Sequence, residues 1–362
     1  YEAMDSAQHI TLLDPVAVEL VDDTMISLAQ KIDMFKPTVE AVVKGNPKSL
    51  LLVEFAEEDM NENYRRLKKL HQLMGDLGYS WNKSKKNGGV VDVVDDKLQS
   101  KVSEMRKSGL NIMMSMKDDA KPVSFIEDCA VELKNLAEYT DGLNKIFDKY
   151  NVKGTWYAHA SVGCLHVRPV LNMKTQHDVD IMRNIANETS SLVKKFNGSY
   201  SGEHGDGIAR SEFNEVMFGE KMINIFKIIK NSFDPFNIFN PGKIVDAPKL
   251  DSRNLFRYAP SYNAQNINTI LDWSSWTGSS GGFQGAIEMC NNNGSCRKLD
   301  GGVMCPSFRV TKDEKDSTRG RANSLRLALS GQLGKDALIS ENMNETMKLC
   351  VSCKACKREC PT

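Results

Sequence analysis

Apolar residues recur along the first 250 positions at helical spacing in some segments and as short aliphatic runs in others. The helical pattern predicts helices over 16–32, 59–77, 97–108, 126–150, 178–196 and 217–231. The short runs predict strands over 49–55, 90–94, 153–160 and 164–171, with a polar turn over 82–89. This order of elements predicts an α+β fold in which helices cover an antiparallel sheet.

The pattern changes near residue 246, where Ser, Asn, Gly and Tyr become frequent. Such a segment is typical of a linker or an extended arm. Further on, cysteine motifs alternate with a helical pattern over 320–331. The sequence therefore predicts an α+β domain over 1–250, a linker over 251–285 and a small α-helical cysteine domain over 286–362.

Composition narrows the class of protein. Lys+Arg and Asp+Glu both number 47, so the net charge does not indicate a nucleic-acid partner. No run of 18 apolar residues predicts a membrane span, and the start at Tyr1 shows no signal peptide. The residues at both ends predict that this sequence is a piece of a longer protein.

The cysteines are unevenly distributed, because seven of the nine lie beyond position 289. Clustered cysteines beside Lys and Pro predict metal ligation in a reducing compartment rather than a disulfide framework. We therefore expect a cytoplasmic protein. Attachment to the inner face of the membrane through a partner stays open, as does the oligomeric state.

A glycine-rich stretch over 198–210 carries the most chemistry in the first domain. It holds four glycines around Glu203, His204 and Asp206, which allows close approach of the backbone to a bound group. Upstream, a turn over 159–166 begins and ends with histidine. Together they offer the His, His and Glu ligands of an open catalytic metal site, with His204 left as a base. The alternative is an ordinary glycine-rich turn between helices.

The C-terminal motif has the spacing C-x2-C-x2-C-x3-C-P and consists of Cys350, Cys353, Cys356, Cys360 and Pro361. This is the bacterial ferredoxin pattern, in which three cysteines bind one [4Fe–4S] cluster and the fourth serves another. The proline is expected to turn the chain towards the second cluster. Zinc is the alternative, although zinc sites usually pair a C-x2-C motif with a distant second pair.

A partner motif supplies Cys290, Cys296 and Cys305. By the crossing rule, Cys305 completes the cluster of Cys350, Cys353 and Cys356. Three ligands then remain for the other cluster: Cys290, Cys296 and Cys360. That cluster needs a non-cysteine ligand, lacks an iron or is absent, and the sequence leaves all three open. Arg319 and Arg321, at the start of the helix over 317–323, either offset cluster charge or form a solvated basic turn.

Three motifs carry a resemblance to a known family. They are Trp156-Tyr-Ala-His-Ala-Ser-Val-Gly-Cys-Leu-His166, Ser201-Gly-Glu-His-Gly-Asp-Gly207 and Phe239-Asn-Pro-Gly-Lys243. Residues 1–250 resemble the C-terminal domain of FAD-linked oxidases of the vanillyl-alcohol-oxidase type, which includes D-lactate, glycolate and D-2-hydroxyglutarate dehydrogenases. Residues 286–362 resemble the ferredoxin-type segment of long bacterial FAD/Fe–S oxidoreductases. The resemblance implies a ferredoxin-like cap domain.

The resemblance also implies roles for individual residues. A divalent metal, zinc or similar, would be held by His159, His166 and Glu203 and would bind the substrate's hydroxyl and carboxylate. His204 would be the base. Arg106 and Lys117 are candidates for the substrate carboxylate, and Asn240 for approach to the flavin. The alternatives are exposed helix charges for Arg106 and Lys117, and turn capping for Asn240.

The function that the resemblance implies is FAD-dependent oxidation of a D-2-hydroxy acid. Electrons would pass through one or two clusters to an acceptor protein or a quinone chain, not to NAD. The flavin's pyrophosphate-binding domain is expected before Tyr1. Because Ser161, Val162 and Cys164 replace the polar residues usual in simpler relatives, and Arg168 stands where these often carry asparagine, the substrate side chain stays open.

Two other classes of function compete with this interpretation. The first is an iron–sulfur electron-transfer subunit without its own substrate site, and the second is a zinc-binding interaction module. An electron relay needs none of the histidines at 159, 166 and 204. The sequence therefore favours the dehydrogenase.

Overall fold

The computed structural model describes residues 1–81, 88–263, 267–279 and 281–360. It divides into two compact units. Unit 1 comprises residues 1–105, 122–171 and 175–255, and unit 2 comprises residues 106–121, 172–174 and 256–362.

The framework of unit 1 is an antiparallel sheet. The strands are β1 (Ala17–Asp22), β2 (Ser49–Glu54), β3 (Lys121–Pro122), β4 (Cys129–Ala130), β5 (Gly154–His159) and β6 (Cys164–Leu171). The short β3 lies at a unit boundary. The other strands follow the order β2-β1-β5-β6, and β4 pairs with β6. Every pair in this order is antiparallel, which confirms the predicted α+β class.

The helices lie before, between and after these strands. The helices that precede β5 in the chain are α1 (Glu2–Ile10), α2 (Asp23–Ala29), α3 (Lys36–Val42), α4 (Met60–Asp76), α5 (Asp96–Lys107), α6 (Gly109–Met113) and α7 (Leu136–Lys149). Those that follow in unit 1 are α8 (Gln176–Lys195), α9 (Gly207–Arg210), α10 (Asn214–Phe218) and α11 (Glu220–Phe233). Helix α5 crosses a unit boundary, and α6 belongs to unit 2.

The core of unit 1 forms where α7 and α8 meet. The buried stripe of α8 has helical spacing and includes Val179, Met182, Ile185 and Ala186. Helix α8 packs against α7 and against β6, and α7 also packs against α1. The hydroxyl of Thr175 fixes the start of α8, because it accepts a hydrogen bond from the backbone N–H of Asp178 at 3.2 Å.

Strand alternation divides the sheet into two chemically different faces. One face carries buried apolar side chains, among them Leu20, Ala158, Leu165 and Val167. The opposite face carries Glu19, Tyr157, His159, His166 and Arg168, which occupy the alternate positions of the paired strands. Pairing of Glu19 with His159 and of Tyr157 with His166 places this polar set side by side.

Three predicted elements are wrong. The helix predicted over 16–32 is instead β1 followed by α2, because pairing with β2 and β5 on both sides overrides the local pattern. The strand predicted over 90–94 has no regular structure. The helix predicted over 126–150 begins only at Leu136, since the preceding residues turn at Asp128 (φ 76°) and form β4.

The other predicted elements are confirmed within two or three residues at each end. They include the strands over 49–55, 153–160 and 164–171 and the helices over 59–77, 97–108 and 178–196. The helix predicted over 217–231 is divided into α10 and α11 at Gly219, whose φ is 83°. Most of the turn predicted over 82–89 lies outside the described residues, as does Pro361.

Unit 2 is mainly helical. Its further helices are α12 (Gly282–Glu288), α13 (Pro306–Thr311), α14 (Thr318–Leu329), α15 (Glu341–Lys348) and α16 (Ala355–Glu359). The hydroxyl of Ser317 caps α14 by accepting a hydrogen bond from the N–H of Gly320 at 2.9 Å. Helix α14 thus confirms the helical pattern over 320–331.

A buried ion cluster holds the first part of unit 2 together. The ammonium of Lys174 lies 2.6 Å from carboxylate oxygens of both Asp119 and Glu288. Lys174 also lies over the ring of Tyr258, whose chain segment has no regular secondary structure. The predicted domain boundaries at 250 and 286 stay predictions. In the described part of the chain, no helix is long and apolar enough to span a membrane.

The turn between the two histidine-bearing strands requires glycine. Gly163 has φ 70°, and a Cβ there would lie 2.0 Å from the carbonyl oxygen of Val131. We expect Gly163→Ala to lower the free energy of unfolding by about 2 kcal/mol or more, from left-handed strain plus the clash. Urea unfolding followed by circular dichroism measures this change. Gly75→Ala is the control, since a Cβ at this position of α4 meets no atom within 4 Å. Equal effects of the two substitutions would contradict the prediction.

Candidate functional site

The glycine-rich loop is held against the sheet by one buried carboxylate, that of Asp128. This side chain accepts hydrogen bonds from the backbone N–H groups of Glu203 and His204 at 2.9 and 2.8 Å. The hydroxyl of Ser201 donates a third bond at 3.0 Å, and the thiol of Cys164 is a fourth donor at 3.4 Å. Asp128 therefore fixes the loop at the residues that carry the candidate chemistry.

The electrostatics of Asp128 agree with this role. Burial raises the pKa of its carboxyl, but the hydrogen bonds from the His204 and Glu203 backbones outweigh burial and leave the pKa below its usual value. Asp128 is thus ionised at neutral pH. The chain also approaches closely at Gly202, where a Cβ would lie 3.0 Å from the carbonyl oxygen of Asp128.

Three histidine rings converge on one carboxylate oxygen of the loop. Oε1 of Glu203 lies 3.2 Å from Nε2 of His159 and 3.1 Å from Nε2 of His166. Nε2 of His204 lies 3.4 Å from the same oxygen. The structure thus brings together the four residues that the sequence assigned to metal and base.

The spacing of these atoms fits a metal centre. Two ligand atoms at the metal–nitrogen distance of about 2.0–2.1 Å lie about 3.3 Å apart when the angle at the metal is tetrahedral. The separations of 3.2 and 3.1 Å from Glu203 Oε1 to His159 and His166 match this value. Glu203 thus lies at ligand spacing from each of the two histidines, and the three side chains supply two nitrogens and one oxygen of the kinds that a divalent cation takes.

Second carboxylates orient two of the rings. Nδ1 of His159 lies 2.8 and 2.9 Å from the two carboxylate oxygens of Glu19. Histidine ligands of metals commonly donate their other ring N–H to a carboxylate, which leaves Nε2 for the metal. Nδ1 of His204 lies 3.5 Å from Oε1 of Glu127, so its Nε2 likewise faces Glu203.

His166 is the most buried of the three rings, with 1% of its surface exposed. Burial, with repulsion from His159 and His204, lowers the pKa of His166 to about 4. The ring is therefore neutral at pH 7, as a metal ligand must be. Its Nδ1 is buried and has no hydrogen-bond partner among the described residues. The ring of Tyr157 stacks on it at 4.7 Å.

A second set of donors overlaps with this one. Single ligand atoms of Asp128, Cys164, His166 and Glu203 lie within 4.8 Å of one another. The Asp128 carboxylate is already occupied by loop N–H groups, and burial raises the pKa of the Cys164 thiol well above its usual value. Because thiolates and free carboxylates are the ligand forms, His159 fits the centre better than Asp128 or Cys164.

Two arginines support Glu127 beside the site. The guanidinium of Arg168 pairs with the Glu127 carboxylate, and both side chains are buried. Arg210 donates to the carbonyl of Glu127 at 2.9 Å and to that of Gly205 at 2.8 Å. Arg168, which stands where simpler relatives often carry asparagine, is therefore engaged by an acid of the protein itself.

The remaining residues predicted for this site stay predictions. Arg106 and Lys117 are exposed and belong to unit 2. The ammonium of Lys117 lies 4.8 Å from the centre of the Trp276 ring. Asn240 is exposed with φ 46°, in a turn whose N–H groups at Ile238 and Phe239 donate to Asp234 at 2.9 Å.

The cysteines of unit 2 lie close enough together to raise one another's pKa. Burial raises the pKa of the Cys290 thiol, and the nearby thiols of Cys360 and Cys296 raise it further. Burial likewise raises the pKa of the Cys356 thiol, with added repulsion from Cys353, Cys350 and Cys360. Cys305 packs in the same buried cluster as Cys296, and Cys360 packs against that cluster. The division of the seven cysteines by the crossing rule stays a prediction.

The two arginines at the start of α14 contact different cysteines. The backbone N–H of Arg319 points to the sulfur of Cys296 at 3.4 Å. The guanidinium of Arg321 lies 3.6 Å from the sulfur of Cys305 and is mostly buried. The Arg321 guanidinium thus faces a cysteine, whereas that of Arg319 pairs with Glu314. The role of the two arginines stays a prediction.

Several functional contacts were missed by sequence reasoning. Glu19, Glu127 and Asp128 carry no motif of their own among 47 acidic residues. Only Glu19 had a usable signal. As an acid flanked by Val18 and Leu20, it would have indicated a polar position facing a site if strand β1 had been predicted.

Comparisons with known proteins agree with this geometry. A family model described as FAD linked oxidases, C-terminal domain, matches residues 2–244. A second model, described as 4Fe-4S dicluster domain, matches residues 286–362. Both resemblances drawn from the motifs are therefore confirmed.

Curated relatives match over the same range. D-2-hydroxyglutarate dehydrogenase of Pantoea ananatis is 30% identical, with 100% of this chain and 38% of the relative covered. The protein of the same name from Escherichia coli is 29% identical, with 100% and 39% covered. D-lactate dehydrogenase of Archaeoglobus fulgidus is 27% identical over 64% of this chain and 46% of its own. The chain thus spans about two fifths of the length of the first two relatives.

One solved structure also matches. It is 4-ethylphenol oxidase from Gulosibacter chungangensis in its isoeugenol complex, with TM-score 0.34 and 12% identity. The match covers 68% of this chain and 52% of that one. This likeness is too weak to support an argument.

The Asp128 carboxylate can be tested by removing its charge. Asp128→Asn keeps the size and tolerates φ 76°, but its NH₂ group cannot accept the loop N–H bonds. We expect a loss of about 2–3 kcal/mol in the free energy of unfolding, measured by urea denaturation. Asp141→Asn is the control, since this exposed acid pairs only with Lys145 on the surface of α7. A change under about 0.5 kcal/mol at Asp128 would refute the anchoring role.

Proposed function

We propose that this chain serves an FAD-dependent D-2-hydroxyacid dehydrogenase. The proposal starts from its family: the chain belongs to the FAD linked oxidases, because its residues 2–244 match the C-terminal domain of that family. The reaction is oxidation of a D-2-hydroxy acid, of the D-lactate or D-2-hydroxyglutarate type, to the 2-oxo acid. Electrons leave the flavin through iron–sulfur clusters to a non-NAD acceptor, either a protein or a quinone chain. The convergence of His159, His166 and His204 on Glu203 carries this proposal.

A divalent metal would be held by His159, His166 and Glu203. When bound, such a metal lowers the pKa of a coordinated hydroxyl, which eases its deprotonation near neutral pH. Glu19 fixes the tautomer of His159 by accepting at Nδ1, so that Nε2 is free for ligation. Burial keeps His166 neutral for the same purpose.

His204 acts as the base that takes the proton of the substrate hydroxyl. Its side chain is 39% exposed, so it is accessible to a small substrate. The Glu127 carboxylate, 3.5 Å from Nδ1, stabilises the imidazolium that forms when Nε2 takes the proton, as a carboxylate does beside a catalytic histidine. Glu127 is a positioning residue, since Arg168 and Arg210 hold it in place.

The substrate proposal draws on the relatives. Those that match 99–100% of this chain are named D-2-hydroxyglutarate dehydrogenase, whereas those with D-lactate dehydrogenase in their names match 34–69% of it. This favours D-2-hydroxyglutarate. Arg106 and Lys117 stay candidates for binding a substrate carboxylate, and Asn240 stays a candidate for flavin contact.

The competing function is an iron–sulfur electron-transfer subunit without its own substrate site. A relay has no use for a carboxylate surrounded by three histidines, two of them backed by second carboxylates. The geometry therefore supports the dehydrogenase. A cytoplasmic location and attachment to the inner face of the membrane through a partner belong to this proposal.

Replacement of Glu203 tests the metal. In the active enzyme, we expect Glu203→Gln to weaken metal binding, because a neutral amide replaces the carboxylate that three ring nitrogens face. Metal content after dialysis, with partial recovery of activity on added zinc or manganese, measures the effect. Glu215→Gln is the control, an exposed acid on α10. Full metal retention by Glu203→Gln would remove Glu203 from the ligand set.

Replacement of His204 tests the base. We expect His204→Ala to retain metal and near-normal substrate affinity, while kcat falls about 10²–10⁴-fold for loss of a general base. Steady-state kinetics together with metal analysis separates the two roles. Loss of metal from His204→Ala, with retention in Glu203→Gln, would exchange the two assignments. An unchanged kcat would reject the base.

A further inference from the structure

Two loops of unit 2 share one backbone conformation, although their cysteines differ. In the loop over 350–356, Ser352 and Lys354 are left-handed, with φ 53° and 59°. In the loop over 290–296, the residues at the same offsets, Asn292 and Gly294, have φ 65° and 79°. Left-handed residues are uncommon outside glycine, so two at matching positions identify the loops as the same structure.

The correspondence extends into the residues that follow. A helical turn begins at Ser295 in the loop over 290–296 and at Ala355 in the loop over 350–356. Cys290 then corresponds to Cys350, and Cys296 corresponds to Cys356. The middle ligand, Cys353, corresponds to Asn293.

The side chain of Asn293 serves the loop itself. Its Oδ1 accepts from the N–H of Ser295 at 2.8 Å, and its Nδ2 donates to Oδ1 of Asn291 at 2.6 Å. Asparagine here stabilises the turn in the way that side-chain amides often do. The loop over 290–296 thus has the shape of a cluster-binding loop but lacks one of its three thiolates.

The cysteine count is consistent with this loss. Two clusters with four thiolates each require eight cysteines, and the segment over 286–362 contains seven. Cys360 packs against the buried cluster that holds Cys296, and the thiols of both raise the pKa of Cys290. Cys305 packs in the same cluster, but its thiol donates to the carbonyl of Asp316 at 3.0 Å. The residues at this site therefore do not fit a cluster with four thiolate ligands, although the matching family model describes a dicluster domain.

We propose that Cys290, Cys296 and Cys360 bind a cluster whose fourth corner, at the position of Asn293, has no protein thiolate. A cluster held by these three thiolates would have a labile iron at that corner and would convert between [4Fe–4S] and [3Fe–4S] forms. The inference rests on the proposed iron–sulfur function of unit 2 and states which of its two sites is incomplete.

The missing thiolate also changes the electrostatics of the centre. Three thiolates carry one negative charge fewer than four, and the backbone N–H of Arg319 points to Cys296. Lower negative charge and N–H···S hydrogen bonds both raise a cluster's reduction potential.

Oxidation provides the test. When a [4Fe–4S]²⁺ centre gives one electron to ferricyanide and releases one Fe²⁺, it leaves [3Fe–4S]⁺ with all its sulfide. We therefore expect the anaerobically purified holoprotein to lose about one iron on ferricyanide treatment and to show the low-temperature EPR signal of an oxidised [3Fe–4S] centre.

Variants locate the labile corner. Asn293→Cys supplies the missing thiolate, so the [3Fe–4S] signal should disappear while sulfide is retained. Lys298→Cys is the matched control, which adds an exposed thiol two residues beyond Cys296, and should keep the wild-type signal. Cys353→Asn gives the loop over 350–356 the ligand pattern of the loop over 290–296. It should roughly double the [3Fe–4S] signal.

The outcomes separate this inference from the proposed function. Protein without acid-labile sulfide would contradict the iron–sulfur function itself. Sulfide for two clusters without an EPR signal after oxidation would overturn only the labile corner, as would an unchanged signal in Asn293→Cys. If Asn293→Cys loses sulfide because the turn fails, Cys353→Asn decides, and an unchanged signal there overturns the proposal.

Discussion

The candidate site depends on the buried charge of Asp128. Its carboxylate binds the N–H groups of Glu203 and His204, so one acid sets the position of both. Adjacent residues in an extended chain point in opposite directions. Here the loop turns around the Asp128 oxygens, and both side chains lie against the ring of His166. The cost of burying an ion is offset by three strong donors and a thiol.

The sheet supplies the other half of the site through alternation. Positions along β6 alternate between the helical core and the polar face, which places His166 two residues from Cys164 and from Arg168. Antiparallel pairing then brings His159 on β5 to within 4.8 Å of His166, measured between ring centres. The approach of the two histidines needs no polar residue in the turn between β5 and β6. That turn requires only Gly163.

The predictable part of the molecule is the part with local signals. Strands β5 and β6 and the helix α8 follow from patterns of adjacent residues, and so does the glycine loop with Glu203. Strand β1 does not, because its six residues become a strand through partners 27 and more positions away in sequence. The acids that orient the histidine rings could not be predicted from the sequence for the same reason. Glu19 and Glu127 resemble any surface carboxylate until tertiary pairing places them beside histidine nitrogens.

The two candidate sites are preorganised by different physics, and this decides what sequence can reveal about each. In the candidate metal site, charge holds the loop, so the geometry of the candidate ligands depends on a distant acid that spacing does not show. In the cysteine loops, left-handed residues hold the shape locally, so the loop at Asn293 has the same conformation without a thiolate at that position. Backbone conformation and ligand set can therefore change independently there. A count of cysteines detects the loss, but only the paired φ angles identify the position at which it occurred.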